Sequence, residues 1–153
     1  MNLPGEPSRE DPWYLEGLRF ECRRCHACCK ARGEYVFVYI EDQEVEPIAR
    51  ALGLSPRAFL KRFCTRHEGE RVLRFEEELC PLHDGRGCRV HPVRPVQCRT
   101  WPFWPENLQS REAWEEKVGS FCPGAGRGRL WSFAEIVALA REMAENSGET
   151  WNP

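Results

Sequence analysis

The first part of the chain combines a strand-like run with a helical pattern. Residues 34–40 are aromatic or β-branched almost throughout, which is typical of a buried strand. Apolar residues then recur at helical spacing as far as Gly53, which is expected to stop the helix. Because proline is tolerated in the first turn of a helix, Pro47 favours a start near Glu44 rather than Asp42.

A second helix is predicted directly after the first. Ser55 is a favoured N-cap residue and Pro56 suits the first helical position. The inner face of this helix is formed by Phe59, Leu60 and Phe63. Cys64 continues the same pattern, and because a buried thiol behaves as a small apolar group, we favour a structural role for Cys64 over metal ligation.

The second half of the chain predicts two extended segments and a final helix. β-Branched and apolar residues indicate a strand over 71–75, and a third strand or extended piece is expected over 114–121. Ser132 and Glu135 have the spacing of a capping box. A helix is therefore expected over about 133–145.

Length and composition indicate one folded domain. The chain has 153 residues, of which 41% are hydrophobic and 30% are charged, so it can build a core and is not disordered throughout. We expect a small α+β domain over 13–146, with short helices, few strands and loop-rich cysteine sites. A flexible arm over 1–12 and a frayed tail over 147–153 complete the prediction.

Charge and hydropathy limit the partners. The net charge of −2 disfavours nucleic acid and anionic lipid as partners. The longest apolar run has six residues, Tyr35 to Ile40, against the roughly 20 that a membrane-spanning helix requires. The N-terminal residues do not resemble a secretion signal, so we expect a cytoplasmic protein.

Nine cysteines carry the candidate chemistry. A reducing compartment, the odd count and the missing signal all disfavour disulfides. Four cysteines lie in one motif, Cys22-Arg-Arg-Cys25-His-Ala-Cys28-Cys29. Three sulfurs at this spacing can bind different irons of a cubane, whereas one zinc ion usually takes two from such a loop. The motif therefore favours an iron–sulfur cluster over zinc.

The complementary ligands are expected in turns rich in glycine and proline, at Cys80, Cys88, Cys98 and Cys122. Eight thiolates can form two four-ligand sites or one polynuclear centre. A histidine can also replace a thiolate at zinc, or can be an ordinary polar loop residue. The histidines are His26, His67, His83 and His91.

The cysteine segments are locally basic. Arg94 and Arg99 lie in the turn that contains Cys98, and we predict that they contact the cofactor or an anionic substrate. The aromatic segment Trp101-Pro-Phe-Trp104 follows directly. It is predicted to shield the metal from water, and the alternative is a surface on which bases stack.

These motifs resemble those of the YkgJ-like cysteine-cluster family, which is named for CxxCxxCC and described as chelating zinc or iron. The resemblance covers residues 20–128 and includes Gly87-Cys88-Arg-Val-His91, Arg94-Pro95-x-x-Cys98-Arg99 and Cys122-Pro-Gly124. It implies cysteine-bound metal and suggests an iron–sulfur role. His91 departs from the family pattern, because relatives often carry tyrosine there.

Two functional classes follow. In the first, the protein is an iron–sulfur-dependent oxidoreductase or another cluster-dependent enzyme, and Arg94 and Arg99 engage a small anionic substrate. In the second, closed zinc sites order the loops of a module that binds protein or nucleic acid. An open coordination position at the metal would distinguish the enzyme from the module.

Overall fold

The computed structural model describes residues 11–23 and 37–153. These residues form two compact units, one of residues 11–23 with 100–153 and one of residues 37–99. Each contains short helices and a two-stranded antiparallel sheet, so the predicted α+β class is confirmed. The predicted domain limits stay a prediction, and the arm lies almost wholly outside the described residues.

The unit of residues 37–99 is built from two helices and a hairpin. Its elements are α1 (Asp42–Ala51), α2 (Pro56–Phe63), β2 (Cys64–His67), β3 (Glu70–Leu73) and most of α3 (Val96–Thr100). A two-residue turn joins β2 to β3, and both of its residues, Glu68 and Gly69, have positive φ. Such a turn matches the twist of the paired strands.

Helix α1 begins earlier than its proline suggests. The N-cap is Glu41, and the Glu44 carboxylate accepts a hydrogen bond from the Glu41 backbone N–H at 2.9 Å. Because this acidic first turn satisfies the helix start, Pro47 lies inside the helix and the predicted start near Glu44 is wrong. The predicted end is confirmed, since Gly53 follows the C-cap with a φ of +69°.

Helix α2 and the hairpin after it largely confirm the prediction. The Ser55 hydroxyl accepts from the Ala58 N–H at 3.1 Å, and Phe59 is fully buried. The predicted strand over 71–75 is present in part as β3, which begins at Glu70 and ends at Leu73. The strand predicted over 34–40 lies partly outside the described residues, and within them Tyr39 forms an isolated bridge with Val72.

An apolar cluster forms the core of the described part of this unit. Cys64, which follows α2, is buried in that cluster, as predicted, together with residues from both helices and from β3. The buried members are Ile40, Val45, Ile48, Ala49, Phe59, Cys64, Leu73, Leu82 and Val90.

The second unit joins the two ends of the described chain. Its elements are β1 (Leu18–Phe20), α4 (Pro105–Leu108), α5 (Arg111–Trp114), β4 (Ala125–Trp131) and α6 (Phe133–Asn146). Strand β1 pairs with β4, and Phe103 lies among aromatic rings, 5.4 Å from Trp131 and 6.0 Å from both Phe20 and Trp114. The capping box that begins α6 is present as predicted.

The strand expected over 114–121 is wrong. The Ser110 hydroxyl caps α5 by accepting from the Ala113 N–H at 3.0 Å, and a π-helical turn over Glu115–Gly119 follows. Trp114 and Val118 are both buried and lie four residues apart, which is helical spacing. Among the described residues, no helix is long and apolar enough to cross a membrane.

Candidate metal centre

The β1–β4 sheet brings Cys22 and Cys122 to the same end of one unit. Phe20 pairs with Ala125, and the Glu21 N–H then donates to the Gly124 carbonyl at 3.2 Å. Cys22 and Cys122 lie just beyond this hydrogen bond, although they are one hundred residues apart in the sequence. Main-chain pairing therefore joins the two segments that carry these predicted ligands.

The strand pairing at this end depends on Gly124. A Cβ atom at position 124 would overlap the Glu21 carbonyl oxygen and would lie 3.2 Å from Cε2 of Phe20. A glycine is needed here because a side chain would prevent the backbones from approaching this closely.

A short hairpin positions Cys80 and Cys88 in the other unit. His83 and Cys88 form an antiparallel bridge, and the His83 N–H donates to the Cys80 carbonyl at 3.0 Å. The Arg89 N–H donates across the hairpin to the Leu82 carbonyl at 2.9 Å. Both cysteines pack against the apolar cluster of this unit. The same short hairpin therefore carries two further predicted ligands.

Asp84 shapes the tip of that hairpin. Its Oδ1 accepts from the Arg86 N–H at 2.8 Å and from the Gly87 N–H at 3.0 Å. These backbone hydrogen bonds hold the pKa of the Asp84 carboxyl below its usual range. The glycines at 85 and 87 predicted a turn at this place, whereas the hydrogen bonds of Asp84 were not predicted.

Helix α3, which carries Cys98, is tied to its unit by two side chains. The Glu44 carboxylate accepts from the Val96 N–H at 2.7 Å. The Gln97 amide donates to the Phe37 carbonyl at 3.0 Å and accepts from the Tyr39 N–H at 3.3 Å. Gln97 therefore fixes the segment that follows the cysteine motif next to the helix of Cys98. Sequence reasoning missed both roles.

The two arginines predicted at the site lie on either side of Cys98, at positions 94 and 99. Arg94 donates from Nη1 to the His91 carbonyl at 2.7 Å, so part of its guanidinium holds the adjoining turn. Arg99 lies in α3 directly after Cys98. A guanidinium has five donors, so the bond of Arg94 leaves others for an anion.

The histidines are not equivalent as ligands. In His83, Nδ1 accepts from the Gly85 N–H at 2.9 Å, so a neutral ring carries its proton on Nε2. In a metal-bound histidine the second ring nitrogen usually donates instead, so the hydrogen bond of His83 gives no support to a ligand role. The ring of His67 stacks on Phe37 at 3.9 Å. The Nε2 atom of His91 is buried, and His26 lies outside the described residues.

Burial distinguishes Cys64 from the predicted ligands. Its exposure is 6%, and burial raises the pKa of the thiol despite the opposing charges of Arg71 and Arg74. A metal ligand needs the thiolate form. The environment of Cys64 therefore suits a structural thiol.

The aromatic segment after α3 faces inward. Trp101, Phe103 and Trp104 are all buried, so this segment does not form an exposed surface for stacking bases. Trp101 contacts Trp104 at a centroid distance of 4.8 Å and Phe121, the neighbour of Cys122, at 5.6 Å. The predicted shielding of a metal by these rings stays a prediction.

A cavity of about 620 Å³ opens elsewhere in the unit of β1 and β4. Its walls include Trp13, Leu108, Arg111 and Trp151, and the Trp13 indole N–H donates to the Leu108 carbonyl at 2.9 Å. None of the described residues that line this cavity is cysteine or histidine, so its chemistry is separate from that of the candidate ligands.

Comparison with known families decides the assignment. The model of the CxxCxxCC family, described as "Putative zinc- or iron-chelating domain", matches residues 21–123, well over half of the chain. The chain belongs to the CxxCxxCC family. This membership supports a metal-binding cysteine cluster that takes zinc or iron. No solved structure matches the chain.

The CxxCxxCC motif itself lies mostly outside the described residues. Cys25, Cys28 and Cys29 fall in the undescribed segment 24–36, so their predicted ligand role stays a prediction. Over residues 11–23 and 37–153, no three Cys, His, Asp or Glu side chains are grouped so that they can hold a metal ion. Within these ranges, main-chain pairing joins the segments that carry Cys22 and Cys122, and one hairpin carries Cys80 and Cys88.

Proposed function

We propose that this CxxCxxCC protein uses its cysteine thiolates to bind an iron–sulfur cluster with a redox or cluster-dependent catalytic role. The observation that carries the proposal is that main-chain pairing joins the segments of Cys22 and Cys122, which are distant in sequence, through Phe20 with Ala125 and Glu21 with Gly124. In the other unit, one hairpin carries Cys80 and Cys88. Main-chain hydrogen bonds that order the segments carrying these thiols reduce the entropy that metal binding must overcome.

The donor set fits such a group. Thiolate sulfur is the usual ligand of iron–sulfur clusters, and the C-x2-C-x2-C spacing lets one loop supply three sulfurs. Cationic neighbours such as Arg94 and Arg99 offset the negative charge of several thiolates. A bound cluster would supply electron transfer, or a Lewis-acidic iron if one iron lacks a protein ligand.

The chain's own residues would hold the cluster and orient a substrate. The proposed ligands are Cys22, Cys25, Cys28, Cys29, Cys80, Cys88, Cys98 and Cys122. Arg99 and the remaining donors of Arg94 would bind a small anion, because a guanidinium stays charged and can form two parallel hydrogen bonds to a carboxylate or phosphate. The buried Trp101 and Phe103 would keep water away.

A structural zinc module is the second candidate, and the Cys80–Cys88 hairpin supports it. Tight turns that present two cysteines are typical of zinc knuckles, and His91, whose Nε2 atom is buried, adjoins this hairpin in sequence. In this case the protein would use its ordered loops to bind a protein partner. Either function fits a reducing compartment such as the cytoplasm.

Metal and sulfide analysis tests the proposal. Protein purified without oxygen is expected to contain iron, acid-labile sulfide and a visible absorption band. Tightly held zinc without sulfide would favour the zinc module. Folded protein that retains neither metal would contradict both functions.

A matched pair of variants tests the ligand assignment. Cys25→Ser is expected to lose metal, because it removes a proposed thiolate. Cys64→Ala is expected to retain metal, because the buried Cys64 thiol belongs to the apolar cluster. Equal metal loss from both variants would place Cys64 among the ligands and contradict the proposed set.

A further inference from the structure

The indole N–H of Trp101 is a buried donor that needs an acceptor. Trp101 is 8% exposed, its Nε1 atom is inaccessible to solvent, and among the described residues no acceptor lies within hydrogen-bond distance of it. Buried polar groups are nearly always hydrogen-bonded, because burial of an N–H removes its hydrogen bond to water, and without a new acceptor this loss destabilises the fold. This N–H therefore points to an acceptor that is absent from the described residues.

The surroundings of Trp101 indicate the chemistry of that acceptor. Its ring contacts Phe121 at 5.6 Å, and the next residue along the chain is Cys122, a proposed ligand. The Cys122 N–H donates back to the Val118 carbonyl at 2.8 Å, which fixes the main chain at this point. A metal-bound sulfur close to Cys122 would carry negative charge. It could therefore accept a hydrogen bond from the neutral indole N–H of Trp101.

We infer that the Trp101 indole N–H donates a hydrogen bond to a metal-bound sulfur, either a cysteine thiolate or a cluster sulfide. The inference rests on the proposed metal-binding function. It makes Trp101 a positioning residue, in addition to its predicted role of keeping water from the metal. Hydrogen bonds to ligand sulfur stabilise its negative charge and adjust the metal affinity and reduction potential of such centres.

Trp104 offers a matched control within the same segment. It is 7% exposed, and its indole N–H donates to the Thr100 hydroxyl at 3.2 Å. Trp101→Phe and Trp104→Phe therefore remove the same chemical group from two buried rings. The first change removes the donor proposed to reach sulfur, and the second removes a donor that has a protein acceptor.

The experiment compares both variants with the unaltered chain, with metal bound and after removal by a chelator. Trp101→Phe is expected to weaken metal binding by about tenfold to a hundredfold in chelator competition, as loss of a group that supports a ligand typically does. If the centre is a cluster, its reduction potential should become more negative, because the reduced, more negative form loses more stabilisation. Without metal, the denaturation midpoint of Trp101→Phe should be equal to or above that of the unaltered chain.

Trp104→Phe should behave in the opposite way. Its midpoint should fall without metal, since it leaves the buried Thr100 hydroxyl without this donor, and its metal affinity should stay unchanged. Equal metal affinity and potential in Trp101→Phe and the unaltered chain would overturn the inference, and would assign the N–H to a buried water or to another part of the chain. Failure of the unaltered chain to bind metal would instead refute the proposed function.

A measurement on the unaltered chain covers the case in which Trp101→Phe does not fold. The six tryptophans each give an indole N–H signal in a nitrogen-15 spectrum, and the Trp101 signal can be assigned through its backbone. Metal addition is expected to shift this signal and slow its hydrogen exchange, while the Trp104 signal changes little. Identical responses of the two signals would overturn the inference.

Discussion

Replacing Gly124 with alanine should weaken metal binding, because Gly124 allows Cys22 and Cys122 to lie at the same sheet end. The added Cβ would overlap the Glu21 carbonyl oxygen, which is main chain and cannot rotate away. Relief of the overlap requires the end of β1 and the chain before β4 to separate. We therefore expect Gly124→Ala to move the two cysteines apart while the rest of the sheet stays paired.

The size of the effect follows from the contacts that the separation breaks. The hydrogen bond from Glu21 to Gly124 at 3.2 Å is worth about 1 kcal/mol. The edge contact of Phe20 with Phe103 at 6.0 Å contributes about 0.5–1.5 kcal/mol. Unfolding free energy should fall by about 2 kcal/mol, and if metal binding must restore the close approach, affinity should fall by about thirtyfold.

Gly126→Ala is the matched control. Gly126 has a φ of +76°, and a Cβ atom there would meet nothing within 4 Å. Alanine at a positive φ costs about 1–2 kcal/mol, so the two variants should lose similar stability for different reasons. Only Gly124→Ala should also lose metal affinity.

Denaturant unfolding measures the free energy of unfolding, and chelator competition under native conditions measures the metal affinity separately. Equal metal affinity in Gly124→Ala and Gly126→Ala would refute the reasoning, because the approach of β1 to Gly124 would then have no part in the metal site. A Gly124→Ala protein as stable as the unaltered chain would show that the overlap is relieved without separating the strands.

Three further predictions follow from the described residues. Cys64→Ala should lower the free energy of unfolding at neutral pH by about 1 kcal/mol. Burial raises the pKa of the Cys64 thiol, so the unaltered chain loses stability as pH rises through the titration of this thiol. Denaturation at several pH values should therefore show the difference between the two proteins becoming smaller as pH rises. Because the pKa of Asp84 is lowered, its carboxylate stabilises the fold near neutral pH, and this stabilisation is lost on acidification. The stability of Asp84→Ala should therefore fall less at acid pH than that of the unaltered chain. Chelator competition should also show weaker metal binding by Asp84→Ala. Ser132→Ala should cost about 1 kcal/mol in denaturant unfolding with unchanged metal content, because it removes a helix cap alone.

The features that sequence predicted well are those set by neighbouring residues. Ser55 and Ser132 cap helices through hydrogen bonds to N–H groups three residues away, and Gly53 ends α1 through its own positive φ. Such interactions need no knowledge of the tertiary structure. The burial of Cys64 followed in the same way from the apolar pattern around it.

The features that sequence missed depend on pairing across long separations or on competing periodicities. The pairing of β1 with β4 joins segments about one hundred residues apart, and β4 contains Gly126 and Gly128, which weaken any strand signal. Over 114–121 the apolar residues suggested a strand, yet Ser110 capped a helix. The predicted start of α1 was wrong because the hydrogen bond from the Glu41 N–H to the Glu44 carboxylate stabilises an earlier start. This stabilisation offsets the loss of the one helical hydrogen bond that Pro47 cannot donate.

The way the Cys80–Cys88 hairpin is held suggests what metal binding contributes there. Leu82 and Val90 are 1% and 0% exposed and anchor the hairpin in the apolar cluster, and main-chain hydrogen bonds close its tip. Because packing already orders this pair of thiols, binding there need not overcome the entropy of forming the loop. A four-coordinate metal still needs two donors beyond any such pair, and the family motif at Cys25, Cys28 and Cys29 offers more than enough of them. Metal affinity should therefore depend most on the motif cysteines, whereas folding of the hairpin should depend on Leu82 and Val90.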